Sequence, residues 1–336
     1  MKRTLCFLAL FATAVFAQEG NQSTNSLFDD SEIKTYALKS IMVQGEVQNP
    51  GSVDLSPLTL RSVPIKELGL ENGKQIFKGA FFISGYSLYD ILDEKQVKKV
   101  AGNTFSPLID LYVIVENDKG EKAAFSWGEI FFTGDGSNIL ISKSLQAINP
   151  VKIKTTWPLP DEPRLICGND LLNVRYVSNP TKITVKSYAG TFAAEKTENM
   201  YSPEAKIVKD DNAISVGDVG SSVKSRMYRA VEYGHGMGFK GVQNNTGFLL
   251  KDIINANIKV IPDELREAVA VISAKDGYRS VFSVSEIMNR NDNKDFLLID
   301  RKDSPGDGRY TLFAADDFFV DRNVKAVEKI EIAGVK

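Results

Sequence analysis

The chain has one histidine, His235, and two cysteines, Cys6 and Cys167. His235 sits in YGHGMGFKG, between Tyr233 and Lys240. An imidazole titrates near neutral pH and can donate to or accept from an anion. Alone it does not build a zinc site, which needs several nitrogen and sulfur ligands. The flanking glycines permit unusual dihedrals and close approach of a ligand. GMGFKG also fits the spacing Gly-x-Gly-x-x-Gly. A dinucleotide site requires that motif directly between a strand and a helix. Here FKGVQNNTG intervenes before any helical pattern, so a loop is the preferred reading. Asp276, Tyr278 and Arg279 form a second set, on a KDGYR turn; Tyr and Arg are also favoured at protein interfaces. Cys167, beside Leu165 and Ile166, reads as a buried, inert thiol.

No Ser-His-Asp or Cys-His context appears, and no spaced Asp/Asn series matches a calcium loop. No catalytic residue and no metal ligand is assigned. The plainer reading of each candidate is structural: a loop histidine, or a lysine solvating a turn.

The elements that position these residues occur twice. FKGAFFISGYSLYDIL, from Phe77, and FKGVQNNTGFLLKDII, from Phe239, align without a gap and share seven of sixteen positions. The register continues downstream. Gly120 meets Gly277, Phe125 meets Phe282, Ser126 meets Ser283 and Glu129 meets Glu286. Ile139-Leu140-Ile141 meets Phe296-Leu297-Leu298, and Arg175 later meets Arg322. Four blocks in one order make the chain a tandem duplication whose period exceeds that of any solenoid. Gly79 and Gly241 recur for backbone geometry, and Phe77 and Phe239 are expected in the core.

Each copy carries the same local signals. GYSLYDILDE and GFLLKDIINA place apolar residues at helical spacing. LYVIV and AVAVI are continuous apolar β-formers, followed by the turns NDKG and KDG and by return strands. The organisation expected is a signal peptide over 1–17, a polar leader over 18–35, and a first domain over 36–187. A linker over 188–202 and a second domain over 203–336 complete it.

Lys2 and Arg3, the apolar run Leu5–Phe16 and the small residues before Ala17 carry the signal-peptide reading. Export, with cleavage near Ala17, places the protein in a periplasm or outside the cell. The run is too short for a membrane span. The formal net charge of −2 offers no basic excess for nucleic acid. Cleavage leaves Cys167 alone, so no intramolecular disulfide forms.

The order of signals resembles the oxidoreductase molybdopterin-binding domain, the sulfite-oxidase-like fold. VQGEVQNPGSVDL, from Val43, fits that family's opening strand and turn. The helices over Gly85–Leu92 and Gly247–Ile254 follow, then the Asp276-Gly277-Tyr278 turn and the late strand PRLI at Pro163–Ile166. The resemblance implies a strand-rich α+β fold in two tandem copies. It also implies a cofactor, molybdopterin, with molybdenum held by a cysteine thiolate. The candidate ligand-binding residues are Tyr233, His235, Lys240, Asp276, Tyr278 and Arg279, which match positions around the cofactor-pocket mouth of the family that the chain resembles. Leu58–Lys78 and Met227–Lys240, where that thiolate belongs, contain no cysteine. Lys2-Arg3 is also a poor twin-arginine signal for exporting a loaded enzyme.

The reading that results is an exported, non-catalytic protein binding a small molecule or a periplasmic protein partner, with no cofactor. A divergent molybdopterin oxidoreductase with a redox partner is the enzyme alternative. VQGEVQNPGSV also looks like the opening of the SLBB domains of polysaccharide export, units about half as long as this repeat.

Overall fold

Every repeated signal produces the local element it predicts, but the elements assemble differently from the family resembled. The computed structural model describes residues 31–150, 155–192, 202–217, 223–302 and 308–335. The signal peptide and most of the linker lie outside the described residues.

In the first half, β1 (Ile33–Thr35), β2 (Ser40–Gly45) and β3 (Gly51–Asp54) precede a long hairpin, β4 (Arg61–Glu71) and β5 (Lys74–Ser87). Helix α1 (Leu88–Asp93) leads to β6 (Leu111–Glu116), β7 (Lys122–Ser126) and α2 (Trp127–Phe131). Then come β8 (Ile139–Ala147), β9 (Arg164–Cys167), β10 (Val177–Ser178) and β11 (Lys182–Ser187). They form two sheets, ordered β10-β9-β8-β5-β4, with β1 on β8, and β3-β2-β11-β6-β7.

The second half repeats this plan. It contains β12 (Lys206–Lys209), β13 (Asn212–Ser215), the hairpin β14 (Ser225–Gly234) and β15 (Gly238–Leu249), and α3 (Leu250–Asn257). Helix α4 (Pro262–Glu267), β16 (Ala268–Ala274), β17 (Arg279–Ser283) and α5 (Val284–Met288) follow. Strands β18 (Leu297–Asp300), β19 (Tyr310–Phe313) and β20 (Val327–Gly334) close the chain. The sheets are ordered β13-β12-β20-β16-β17 and β14-β15-β18-β19.

These four small sheets are arranged as the four blades of a β-propeller, with 48% strand against 15% helix. The sulfite-oxidase-like α+β expectation is therefore wrong. Short-range signals specify turns, hairpins and caps, whereas sheet order depends on long-range pairing. Helices of five to eight residues are also too short to form the helical layer an α+β domain packs against its sheet. No helix among the described residues is long and apolar enough to cross a membrane.

Each half has its own main core, one around Val113, Phe125 and Ile183, the other around Ala270, Phe282 and Ile330. Alternation along the strands leaves a second apolar row on β6 and β7 (Tyr112, Ile114, Ala124) and on β16 and β17 (Val269, Val271, Val281). Those rows pack on each other and join the halves.

The repeated FKG has a backbone cause. Gly79 and Gly241 have φ of +148° and +121°, and each follows the residue, Lys78 or Lys240, that the register against β4 or β14 leaves unpaired. The expectation of core packing for the preceding phenylalanines fails: Phe77 is 47% and Phe239 66% exposed.

Candidate functional site

The residues that recur most faithfully meet at the seam between the halves. Ser126 and Ser283 cap α2 and α5, accepting from the backbone N–H of Glu129 and Glu286. Arg175 is buried, and its Nη2 donates to Glu129 Oε1 and to Asp170 Oδ1, each at 2.6 Å. Its Nη1 crosses to Ser283 Oγ at 3.1 Å. Arg322 does the same in reverse, donating to Asp317 at 2.5 Å and crossing to Ser126 Oγ at 3.0 Å. Glu286 Oε1 lies 2.7 Å from Arg322 but off the N–H axis, so that contact is an ion pair without a hydrogen bond.

Each serine hydroxyl donates to the other half's glutamate, Ser126 to Glu286 at 2.7 Å and Ser283 to Glu129 at 2.9 Å. Further out, Arg279 pairs with Asp110 at 2.9 Å and Lys122 with Glu267 at 3.2 Å. The Leu171 N–H donates to Asn289 O, and the Phe318 N–H to Phe132 O. Each of these contacts has its exchanged counterpart, the signature of an isologous two-fold interface. The chain is built as a fused dimer of its own repeat.

Two arginines face four carboxylates in this buried layer. Burial pushes Glu286 up to about 7 against the pull of Arg322. It also raises Asp170 and Asp317. Burial alone would lower Arg322, but Asp317 and Glu286 outweigh it and hold the guanidinium charged.

The resemblance's metal chemistry does not fit here. Donor atoms of Glu129, Cys167 and Asp170 lie within 4.8 Å of one another. Arg175 Nη2, bonded to all three, already sits among them. Burial also raises the Cys167 thiol pKa well above its ordinary value. The seam is structural.

A different feature distinguishes the halves. On the face of the hairpin sheet away from the main core, the first half carries Val63, Ile65, Phe81 and Ile83. Tyr36, Trp157 and Leu159 cover them. Arg164, at the rim, makes a two-pronged pair with Glu67 at 2.6 and 3.2 Å. The strand registers place Ala230 where Ile65 lies, Gln243 where Phe81 lies, Asn245 where Ile83 lies and Thr311 where Arg164 lies. The glutamate remains as Glu232.

Ten fewer residues separate Ile299 from Thr311 than separate Ser142 from Arg164, and among the described residues none stands in for the Trp157 segment. What the first half fills is in the second half a cavity of about 410 Å³. Its lining holds three carboxylates, Glu232, Asp276 and Asp321, and three cations, Lys240, Arg301 and Lys325. Asn245 Nδ2 donates to Glu232 at 3.1 Å, and Arg301 Nε to Thr311 Oγ1 at 3.3 Å. Ala274, Ile299, Leu312, Phe313 and Val320 form the apolar part of the wall. Tyr278 donates its hydroxyl to Asp321 O at 2.5 Å. Burial, then Asp321 and Asp276, push that hydroxyl up to about 12, so it remains a donor.

No known family model matches the chain, and no curated protein does.

Of the six residues singled out from the sequence, Lys240, Asp276 and Tyr278 line the cavity. His235 and Tyr233 stand beside it at the hairpin tip, against Phe319, and the His235 N–H donates to Asp321 Oδ2 at 3.0 Å. Arg279 points elsewhere, because adjacent strand residues face opposite ways. Its guanidinium lies between Phe105 and Phe192, at 4.1 and 4.3 Å, and pairs with Asp110 at the seam. Glu232, Asn245, Arg301, Thr311 and Asp321 were missed. The signal was in the opening alignment, where AFFIS of one copy meets VQNNT of the other.

Proposed function

We propose that this is a non-catalytic binding protein, exported after cleavage near Ala17, whose second half takes a small polar ligand. The cavity's three carboxylates and three cations balance. A neutral or zwitterionic ligand rich in donors and acceptors therefore fits it, and a strongly charged one does not. The single observation that carries this reading is the contrast between halves: the same sheet face is packed with its own side chains in one copy and emptied in the other. Pockets of this volume, with a few convergent polar groups on a rigid wall, are the usual form of small-molecule sites. Neither histidine nor cysteine lines it, which favours binding over nucleophilic chemistry.

The test is a thermal-shift screen of neutral and zwitterionic probes, among them glucose, glutamine and uridine, on the mature chain and on Thr311→Arg. The variant restores the first half's arginine opposite Glu232 and closes the cavity. A probe that stabilises the natural chain and not the variant supports the reading. Equal shifts in both, or none with any probe, reject it.

A further inference from the structure

The ten-residue difference that opens the cavity also leaves one strand edge without a partner strand among the described residues. In the first half, β5 is paired along its outer side by β8, from Ser87 opposite Leu140 to Phe81 opposite Ala147. Beyond that, the Ile148 N–H donates to Ala80 O at 2.8 Å, and β1 lies on the far side of β8. In the second half, β18 pairs with β15 only at Phe248 and Leu249. From Gly241 to Gly247, β15 has β14 on one side and no strand on the other among the described residues.

The direction of the free groups follows from what is paired. The Leu250 N–H donates to Phe296 O, towards β18. Backbone polar groups alternate sides along a strand, and the β14–β15 register is unbroken from Phe248 to Gly241. Val242, Asn244 and Thr246 therefore present their N–H and C=O groups to the open edge. Ala80, the counterpart of Val242, uses its carbonyl on that same side. The exposed strand edge is the kind of template that proteins ordinarily shield.

The surroundings select what covers it. Arg226, Arg229 and Lys240 are exposed on this hairpin and form no ion pair among the described residues, against the single carboxylate Glu232. Val231 and Val242, exposed at 66% and 50%, stand opposite each other between them. A second copy would bring the same cations together along the edge. We infer that the open edge of β15 binds an acidic, extended segment of a partner polypeptide as an added antiparallel strand. Backbone hydrogen bonds to Val242, Asn244 and Thr246 hold it, in the place β8 fills in the first half. This is strand addition to a sheet edge, with main-chain pairing giving affinity and charge giving selectivity.

The probe is a peptide copying residues 139–149, the natural occupant of the equivalent edge, with Lys143→Glu to make it acidic. Binding to the mature chain is followed by titration, and amide exchange is read over residues 241–247. Exchange at Val242, Asn244 and Thr246 is expected to slow on saturation. Asn244→Pro removes an outward N–H without touching the β14 pairing, and it is expected to weaken binding by about tenfold or more. Lys240→Glu with Arg229→Glu leaves the backbone edge intact. It should reverse the preference between the acidic peptide and the unsubstituted one. Absence of protection, or Asn244→Pro binding as well as the natural chain, overturns the inference. So does a concentration-dependent dimer protecting the same amides, which would assign the edge to a second copy. Binding to phosphatidylserine vesicles through the hairpin, without peptide binding, would assign it to a membrane.

Discussion

Replacing Arg175 with methionine strands two carboxylates. The side chains of Glu129 and Asp170 are 8% and 3% exposed, and both lose their cation. The methionine still covers Phe125, on which the guanidinium now rests at 4.4 Å. The loss is therefore electrostatic rather than a cavity. Removing one partner of a buried pair costs about 3–5 kcal/mol, a large share of a typical stability of about 5–15 kcal/mol. A stranded buried carboxylate relieves itself by taking up a proton. The cost is thus largest at pH 8 and falls by about half at pH 5, where protonation competes.

Urea unfolding reports this directly, because Trp127 and Trp157, the only tryptophans, both lie in the first half. Circular dichroism follows the whole chain. With the seam shared, both signals should move together in the natural protein and in Arg175→Met. Adding Glu129→Gln and Asp170→Asn should recover part of the loss. A cost below about 1 kcal/mol, or one that is the same at both pH values, would refute the role given to the seam.

Other consequences are simpler. Folded Glu286 titrates at about 7 and its unfolded counterpart near 4.5. Between those values the folded state holds a proton the unfolded chain has released. Glu286 therefore lowers stability as pH rises from 4.5 to 7, by about 3 kcal/mol at most; the slope of stability against pH over that window should flatten in Glu286→Gln. A Cβ at Gly79 would meet Phe81 and Trp157 at 2.7 and 2.8 Å, whereas one at Gly241 meets only Gln243 at 3.4 Å. Both positions carry positive φ, so Gly79→Ala should lower stability by about 2–4 kcal/mol and Gly241→Ala by about 1–2 kcal/mol, as melting curves would show. Tyr278→Phe removes the hydrogen bond to Asp321 and should cost about 1 kcal/mol in a urea titration. Elemental analysis of the natively purified chain should find no stoichiometric molybdenum, since Arg175 Nη2 already sits among the donor atoms of Glu129, Cys167 and Asp170.

The duplication could be read from the sequence because identical residues recur where the two halves touch. Ser126 with Ser283, Glu129 with Glu286 and Arg175 with Arg322 recur in order, and all six lie in the seam. Hairpin turns and the recurring glycines were equally plain, since each acts within a few residues. The sheet arrangement was not. VQGEVQNPGSV specifies a strand and a turn in any of several architectures, and the partner strand β11 lies some 140 residues on in the chain. The cavity was half visible. Lys240, Asp276 and Tyr278 were reached through the family resemblance, at the glycine-rich loop and the KDGYR turn. Asn245 and Thr311 gain meaning only once the register shows which apolar residues they replace. Arg279 was misassigned because one residue's difference along β17 turns its side chain from the cavity to the seam.

The central claim is that the second half holds a small polar ligand where the first half holds its own side chains. The most direct measurement is native mass spectrometry of the protein isolated from its own source without unfolding, beside Thr311→Arg prepared identically. A small neutral or zwitterionic adduct on the natural chain, absent from the variant, is the result expected. A bare natural chain, or the same adduct on both, would contradict it.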